Sequence, residues 1–385
     1  MVTRPIDGVI DNVQKYSESV IRERAQEIDR EGKFPEENFY HLADLGVLRI
    51  PFRRQNGGLD GNLQDILKVI RLVSQECAST ASVLLAQISF GIAPIHDYGT
   101  EEQKNLYLAD LLSGAQIGAF AMNELHSGSE VEEMETYAVE TENGWELNGV
   151  KDYISLAGKA TVYSVATHIT RLNGEKDYGI LLVPADIIGV QSTDKKEKMG
   201  IRGLPVGNLI FDQVELGKEA LLGGQTGGIQ QIQAIKDYNK LFIAAQALGI
   251  ALGVFQETLT YMQQDRRFGQ RLIDLSENQN KMAIAYSEIY ATKTLIESIV
   301  IYSPEDVRLN SLVKLKASNL AVDISEMAIA LTGGYGYMGD SSIERYVRDS
   351  KLTQIYGGSS QRQMKNLSEL WLTKKNNKEN NKESN

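Results

Sequence analysis

Cysteine is all but missing from this chain. The single example, Cys77, has no partner for an internal disulfide and no second thiolate for a zinc site. It lies in "SQECASTASVLL", an apolar helical stretch where a small core residue is expected. Histidine is scarce too. His41, His96, His126 and His168 do not pair at metal-ligand spacing, so no metal is expected. Positive charge is in deficit: 40 Lys and Arg stand against 51 Asp and Glu, for a net charge of −11. A nucleic-acid partner would need a basic surface, so none is expected, although a local patch for a nucleotide or coenzyme is allowed. No apolar run reads as membrane-spanning, and "MVTRPIDGVIDNVQKYSESV" is too polar for a signal peptide. A cytoplasmic protein with no membrane partner is the expectation. The end, "KKNNKENNKESN", is polar and of low complexity, and 373–385 is expected to be a disordered tail.

What is present is enough apolar material for two or three domains sharing cores, with 42% of 385 residues hydrophobic. Residues 1–116 read as helices. "FPEENFYHLADLGVL" places Phe39, Leu42, Leu45 and Leu48 on one stripe, and "PFRRQNGGLDGN" interrupts with Pro and Gly. "LQDILKVIRLVSQECASTASVLLAQISFGI" resumes the pattern, apolar enough to be buried on more than one side. In "YGTEEQKNLYLADLLSG", Thr100 is the expected N-cap, with Glu101 and Glu102 in the first turn. From 117 to 225 short strand-like runs take over, and Asn-Gly in "TENGWEL" predicts a hairpin. From 226 to 372 helices return: one long helix, two more near 276–302 and 308–331, a break at "TGGYGYMGDSS", and a last helix over 361–373. The expected fold is α+β and mainly α: an N-terminal helical domain, a central β domain and a C-terminal four-helix bundle.

Singly, the motifs are weak. Gly333-Gly334-Tyr335-Gly336 can simply end a helix, and "NELHSGSE" can be a plain exit from a strand. Their order and spacing say more. "AFAMNELHSGSE", "VKDYISLAGKA", "KMGIRGLPVGNLIFDQVEL", "RRFGQRLIDLSENQNKMA" and "LTGGYGYMGDSSIERYVRDSKLTQIYGGSS" together resemble the acyl-CoA dehydrogenase family, as does the chain end to end up to about residue 372.

That resemblance implies a flavin, FAD in most of the family, held between the β domain and the C-terminal helices. It places Met122 and Asn123 in a flavin-contacting strand, with Asn123 where a Thr is usual. Gly128 and Ser129 fall where the family contacts flavin phosphate or the bound thioester. Tyr153 stands for a common Trp beside the ring, and Ser155 offers a hydroxyl near the flavin N5, where reduction puts electron density. For each of these, a strand-end polar residue bonding its own backbone is the plainer alternative. Gln279, Gly333, Gly334, Ser359 and Gln361 match the family. Around Phe268 the match is imperfect: a usual Arg is Asp265, and Arg266 or Arg267 would have to reach the diphosphate by another path. A usual Gln is Ala330. FMN in place of FAD therefore stays open.

The resemblance also exposes a gap. Removal of a proton α to a thioester carbonyl needs a positioned base, and the family supplies a Glu from one of two places. Here they hold Gly357 and Asn239. Asp237 lies roughly 160–200° around the helix from Asn239, and the Tyr238 phenol would need a strongly lowered pKa. The catalytic residue is therefore unassigned. Three readings are open: an acyl-thioester oxidoreductase, including an enoyl reductase working in reverse; a flavin monooxygenase on the same fold; or a non-redox relic that binds a thioester or a partner. The thioester could be carried on CoA or on an acyl carrier protein. An electron acceptor or reductase partner is implied without being identified, as is a homotetramer or homodimer.

Overall fold

The computed structural model describes residues 4–127, 130–225, 227–265 and 269–379, with side chains to residue 372. The chain divides into two compact units, Met1–Asn239 and Lys240–Asn385.

The first unit opens with helices α1 (Pro5–Tyr16), α2 (Arg22–Glu31), α3 (Glu36–Asp44), α4 (Leu63–Glu76), α5 (Ala78–Ala86), α6 (Ala93–Tyr98) and α7 (Glu101–Ser113). Phe39 and Leu42 bury one face of α3, as their spacing predicts. Thr100 caps α7: its hydroxyl accepts from the Gln103 N–H at 3.2 Å, and Gln103 Oε1 accepts from the Thr100 N–H at 2.9 Å. Gln103 also donates to the carbonyls of Glu219 and Leu221, tying the start of α7 to the far end of the β region. The apolar stretch after Asn62 is not one helix. Cys77 is extended (φ −148, ψ 102) and separates α4 from α5, its Sγ accepting from the Thr80 N–H at 3.5 Å. The buried thiol is thus a cap as well as a core residue.

The β region contains β1 (Gly118–Ala121), β2 (Tyr137–Glu140), β3 (Gly144–Ser155), β4 (Val162–Thr170), β5 (Lys176–Pro184), β6 (Val190–Ser192) and β7 (Val206–Gly217). The strand order is β1-β4-β2-β3-β7-β6, with β5 also on β4. Asn143-Gly144 makes the predicted hairpin, closed by the Thr141 N–H on the Gly144 carbonyl at 2.8 Å. β6 is an addition to the sequence reading, because three residues ending in Gln191 and Ser192 are too short to show alternation.

After these come α8 (Gly228–Met262), α9 (Ser276–Tyr302), α10 (Val307–Thr332), the single turn α11 (Gly334–Tyr337), α12 (Ile343–Thr353) and α13 (Ser360–Glu379). In the second unit Met262, Met282 and Leu331 share a core between α8, α9 and α10. The Ser318 hydroxyl joins α10 to α12 through the Thr353 carbonyl at 2.8 Å, and Asn366 joins α13 to Ser311 at 3.1 Å. Two features extend the predicted bundle. α12 is additional, its face of Ile343, Tyr346, Asp349 and Ser350 buried. α13 runs to Glu379, so the expected tail from 373 begins as helix; its Lys and Glu residues are good helix formers.

The expectation about apolar runs is also corrected. Ala78–Tyr98 and Gly228–Met262 are long and apolar enough to cross a membrane, with 94% and 78% of their apolar windows buried inside the protein. Such runs belong to core helices as readily as to spans.

Candidate active site

The first unit builds one corner from the ends of β1 and β3. Lys151, fully buried on β3, donates to Glu124 Oε1 at 2.7 Å and to the Met122 carbonyl at 3.1 Å. Burial depresses its ammonium to about 8 against the support of Glu124. Burial works to raise the Glu124 carboxyl, but Lys151 and hydrogen bonds from Glu135 and Thr136 outweigh it and hold the carboxyl low. The Asp152 N–H then donates to the Asn123 carbonyl at 2.8 Å. Met122 and Asn123 are therefore fixed by their backbones, and the Asn123 side chain makes no protein hydrogen bond among the described residues.

Immediately past this anchor the β3–β7 ladder slips. Lys151 pairs with Leu209 but Ile154 with Gly207, so one extra residue is accommodated on β3. Tyr153 takes up the bulge with a left-handed backbone, φ 57, at a cost of about 1–3 kcal/mol. The residue is 57% exposed, with Lys196 Nζ over its ring at 5.0 Å. Ser155 follows at the strand end, half-buried, and its hydroxyl also has no protein partner among the described residues.

A second wall comes from the helices. Gln87–Ile92 forms a π-helical turn between α5 and α6, a distortion frequent at functional sites. It lies directly against β1: a Cβ on Gly91 would come within 2.7 Å of the Gly118 carbonyl oxygen, so this approach requires glycine. Phe90 on the turn stacks on Phe120 of β1, with centroids 5.7 Å apart. Ser89 on the same turn receives a 2.7 Å hydrogen bond from Nδ2 of Asn239, which is fully buried on α8. Tyr238, one residue earlier, has its phenol pushed well above its usual value by burial and the Asp97 carboxylate, so it stays protonated near neutral pH.

In the second unit, Gly357 has φ 62 and Gly358 φ 86. Both glycines therefore hold a backbone that a larger side chain rarely accepts. The loop is held from within: Lys314 Nζ donates to the Gly358 carbonyl at 2.6 Å, and Gln363 Nε2 donates to the carbonyls of Gly357 and Gly358. Burial and the nearby Lys240 ammonium lower Lys314 to about 7. Ser359 accepts from the Arg362 N–H at 3.3 Å, opening α13, and Gln361 is exposed beside it. Gln279, Gly333 and Gly334 lie elsewhere, at the end of α10 that carries Leu331. Lys314 and Leu331 are roughly 25 Å apart at 1.5 Å per residue, so the expected flavin residues of this unit form two separate groups.

Gly128, Ser129, Arg266 and Phe268 lie outside the described residues, as does Arg267. Asp265 and Ala330 are exposed. The sequence reading missed Ser89, Lys151, Glu124 and Lys314. Only Lys314 left a trace, since it shares the buried stripe of Ala317, Ala321 and Ala328.

Comparison with known proteins covers the whole of this architecture. Profiles described as the N-terminal, middle and C-terminal domains of acyl-CoA dehydrogenase match residues 7–115, 119–214 and 226–371. A short-chain-specific acyl-CoA dehydrogenase of Clostridium acetobutylicum is 31% identical over 94% of this chain and 96% of its own. An acryloyl-CoA reductase (NADH) of Anaerotignum propionicum is 31% identical over 90% and 89%. The structure of butyryl-CoA dehydrogenase from Megasphaera elsdenii superposes with a TM-score of 0.91 at 27% identity, covering 97% of this chain and 99% of that one.

Proposed function

This chain belongs to the acyl-CoA dehydrogenase family, and on that premise we propose that it is an FAD-dependent oxidoreductase acting on the CH–CH bond of a short acyl thioester. The observation that carries the reading is the β1–β3 corner: Asp152 ties β3 to Asn123, and a strained bulge just past the Lys151 anchor presents Tyr153 and Ser155, with the Asn123 and Ser155 side chains unspent among the described residues. This donor set fits a flavin. Ser155 and Asn123 would bond its polar edge, and the exposed Tyr153 ring would cover its face. The bound flavin supplies the acceptor, or in the reverse direction the donor, of hydride at the β-carbon. Short acyl groups are supported by the names of the relatives and by the aromatic pair Phe90 and Phe120 beside the Asn239 wall.

The proton is handled without the usual carboxylate. Asn239 has no basic atom, Gly357 has no side chain, and Tyr238 holds its proton. Loss of a general base typically costs about two to four orders of magnitude. The enzyme therefore works on a substrate whose α-proton is already acidic, or slowly on a simple one. FAD is expected to be shared between subunits of a homo-oligomer, which would reconcile the two groups separated along the length of α10.

An anaerobic visible spectrum of the flavin-loaded protein tests this reading. Saturated short acyl-CoA or acyl-carrier-protein thioesters are expected to bleach the oxidised flavin band. If the band persists through the whole panel, and the corresponding enoyl thioesters do not reoxidise chemically reduced protein, the oxidoreductase reading fails.

A further inference from the structure

Asn239 carries a polar atom that the described protein does not use. Ser89 Oγ donates its only proton to the Leu85 carbonyl at 2.6 Å. With that proton on Leu85, Ser89 accepts from the amide, which presents Nδ2 at 2.7 Å. The orientation of the carboxamide is thereby set, and Oδ1 is left enclosed with no hydrogen-bond partner among the described residues. A buried acceptor of this kind takes either an ordered water or a partner that arrives with a ligand. The surroundings point the same way: the lock is on a π-helical turn that packs on β1, the strand leading into Met122 and Asn123.

We infer that Asn239 is a specificity-determining residue whose carboxamide oxygen accepts a hydrogen bond from the substrate, so that the preferred acyl thioester bears a hydroxyl or amino group next to its reacting carbons. The inference rests on the thioester reading above. It also gives the substitution at this position a role: a carboxylate acts on a carbon acid, whereas a fixed amide oxygen selects an N–H or O–H donor. A site built to bond a polar group rejects the analogue lacking it, because its own buried group then stays unpaired.

The test is calorimetric titration of the flavin-loaded protein with butyryl-, 2-hydroxybutyryl-, 3-hydroxybutyryl- and 3-aminobutyryl-pantetheine. Wild type is expected to bind the best donor-bearing ligand about tenfold or more tightly than butyryl-pantetheine, the size of one hydrogen bond. Asn239→Leu is expected to abolish or reverse that preference. Should this variant fail to fold, Ser89→Ala removes only the hydroxyl that fixes the amide, and it is expected to shrink the preference by letting either edge face the ligand. Equal affinity for all four ligands in wild type, or an unchanged preference in both variants, overturns the inference alone. Binding of none of them overturns the thioester reading and the inference together.

Discussion

Two positions carry the catalytic proposal, Asn239 in the first unit and Gly357 in the second, and neither residue offers a base. At Gly357 the backbone is left-handed and its carbonyl is held by Gln363, so the loop has settled around glycine. At Asn239 the helix is intact and the side chain is already directed at Ser89, so a Glu there exchanges the amide for a carboxylate one methylene further along the same direction. Asn239→Glu is therefore the informative replacement. With butyryl-CoA, anaerobic stopped-flow bleaching of the flavin is expected to accelerate by about two to four orders of magnitude, the usual contribution of a positioned base. A folded, flavin-loaded variant with no gain would show that the pocket holds its substrate for a different reaction. The two positions were singled out because the surrounding segments resemble a known pattern, and the Asn239→Glu variant is what tests the assignment. Ser89 and the orphaned Oδ1 were not legible, because a hydrogen bond over 150 residues leaves no spacing to read.

At the level of elements, periodicity served for the long helices that bury one face and missed the shorter α12, whose buried face includes Asp349 and Ser350. It placed α9 and α10 to within a residue or so, and Thr100 identified the start of α7. It failed where local chemistry interrupts an apolar run, as at Cys77, and where an element is too short, as in β6. The bulge in β3 belongs to the same class: "VKDYIS" alternates tolerably, and only pairing with β7 reveals the extra residue. Its strain allows the fold and the site to be separated. Tyr153→Gly is expected to leave the thermal midpoint of the apoprotein unchanged or higher, since glycine accepts φ 57 without penalty and the ring is largely exposed. The same variant is expected to retain less flavin through gel filtration. Equal loss of stability and flavin would mean that Tyr153 is a packing residue and that the bulge has no part in cofactor binding.

Across the whole molecule the three-part order was readable because texture changes from helical to strand-like and back, and because the resemblance runs end to end. Composition concealed something else: an acidic protein with net charge −11 encloses a strongly depressed lysine in each of its two units, Lys151 near 8 and Lys314 near 7. Both values lie below the ordinary 10.5. Between the folded value and the unfolded one, the unfolded chain binds more protons, so each lysine's contribution to stability rises with pH. That contribution is complete above about 10.5 and is lost as pH falls toward 8 for Lys151 and 7 for Lys314. Lys314 is the cleaner probe, because its fixed contact is a carbonyl and its removal strands no buried carboxylate. Lys151 would leave Glu124 uncompensated. Thermal midpoints of wild type and Lys314→Met, measured from pH 7 to 9.5 at constant ionic strength, are therefore expected to differ in slope. Wild type gains on the variant as pH rises, by about 1 °C for each kcal/mol involved in a chain of this length. The acidic surface repels itself more strongly over the same range in both proteins, so it cancels in the comparison. Parallel curves would mean that Lys314 titrates normally and that its bond to Gly358 is only one more interior hydrogen bond.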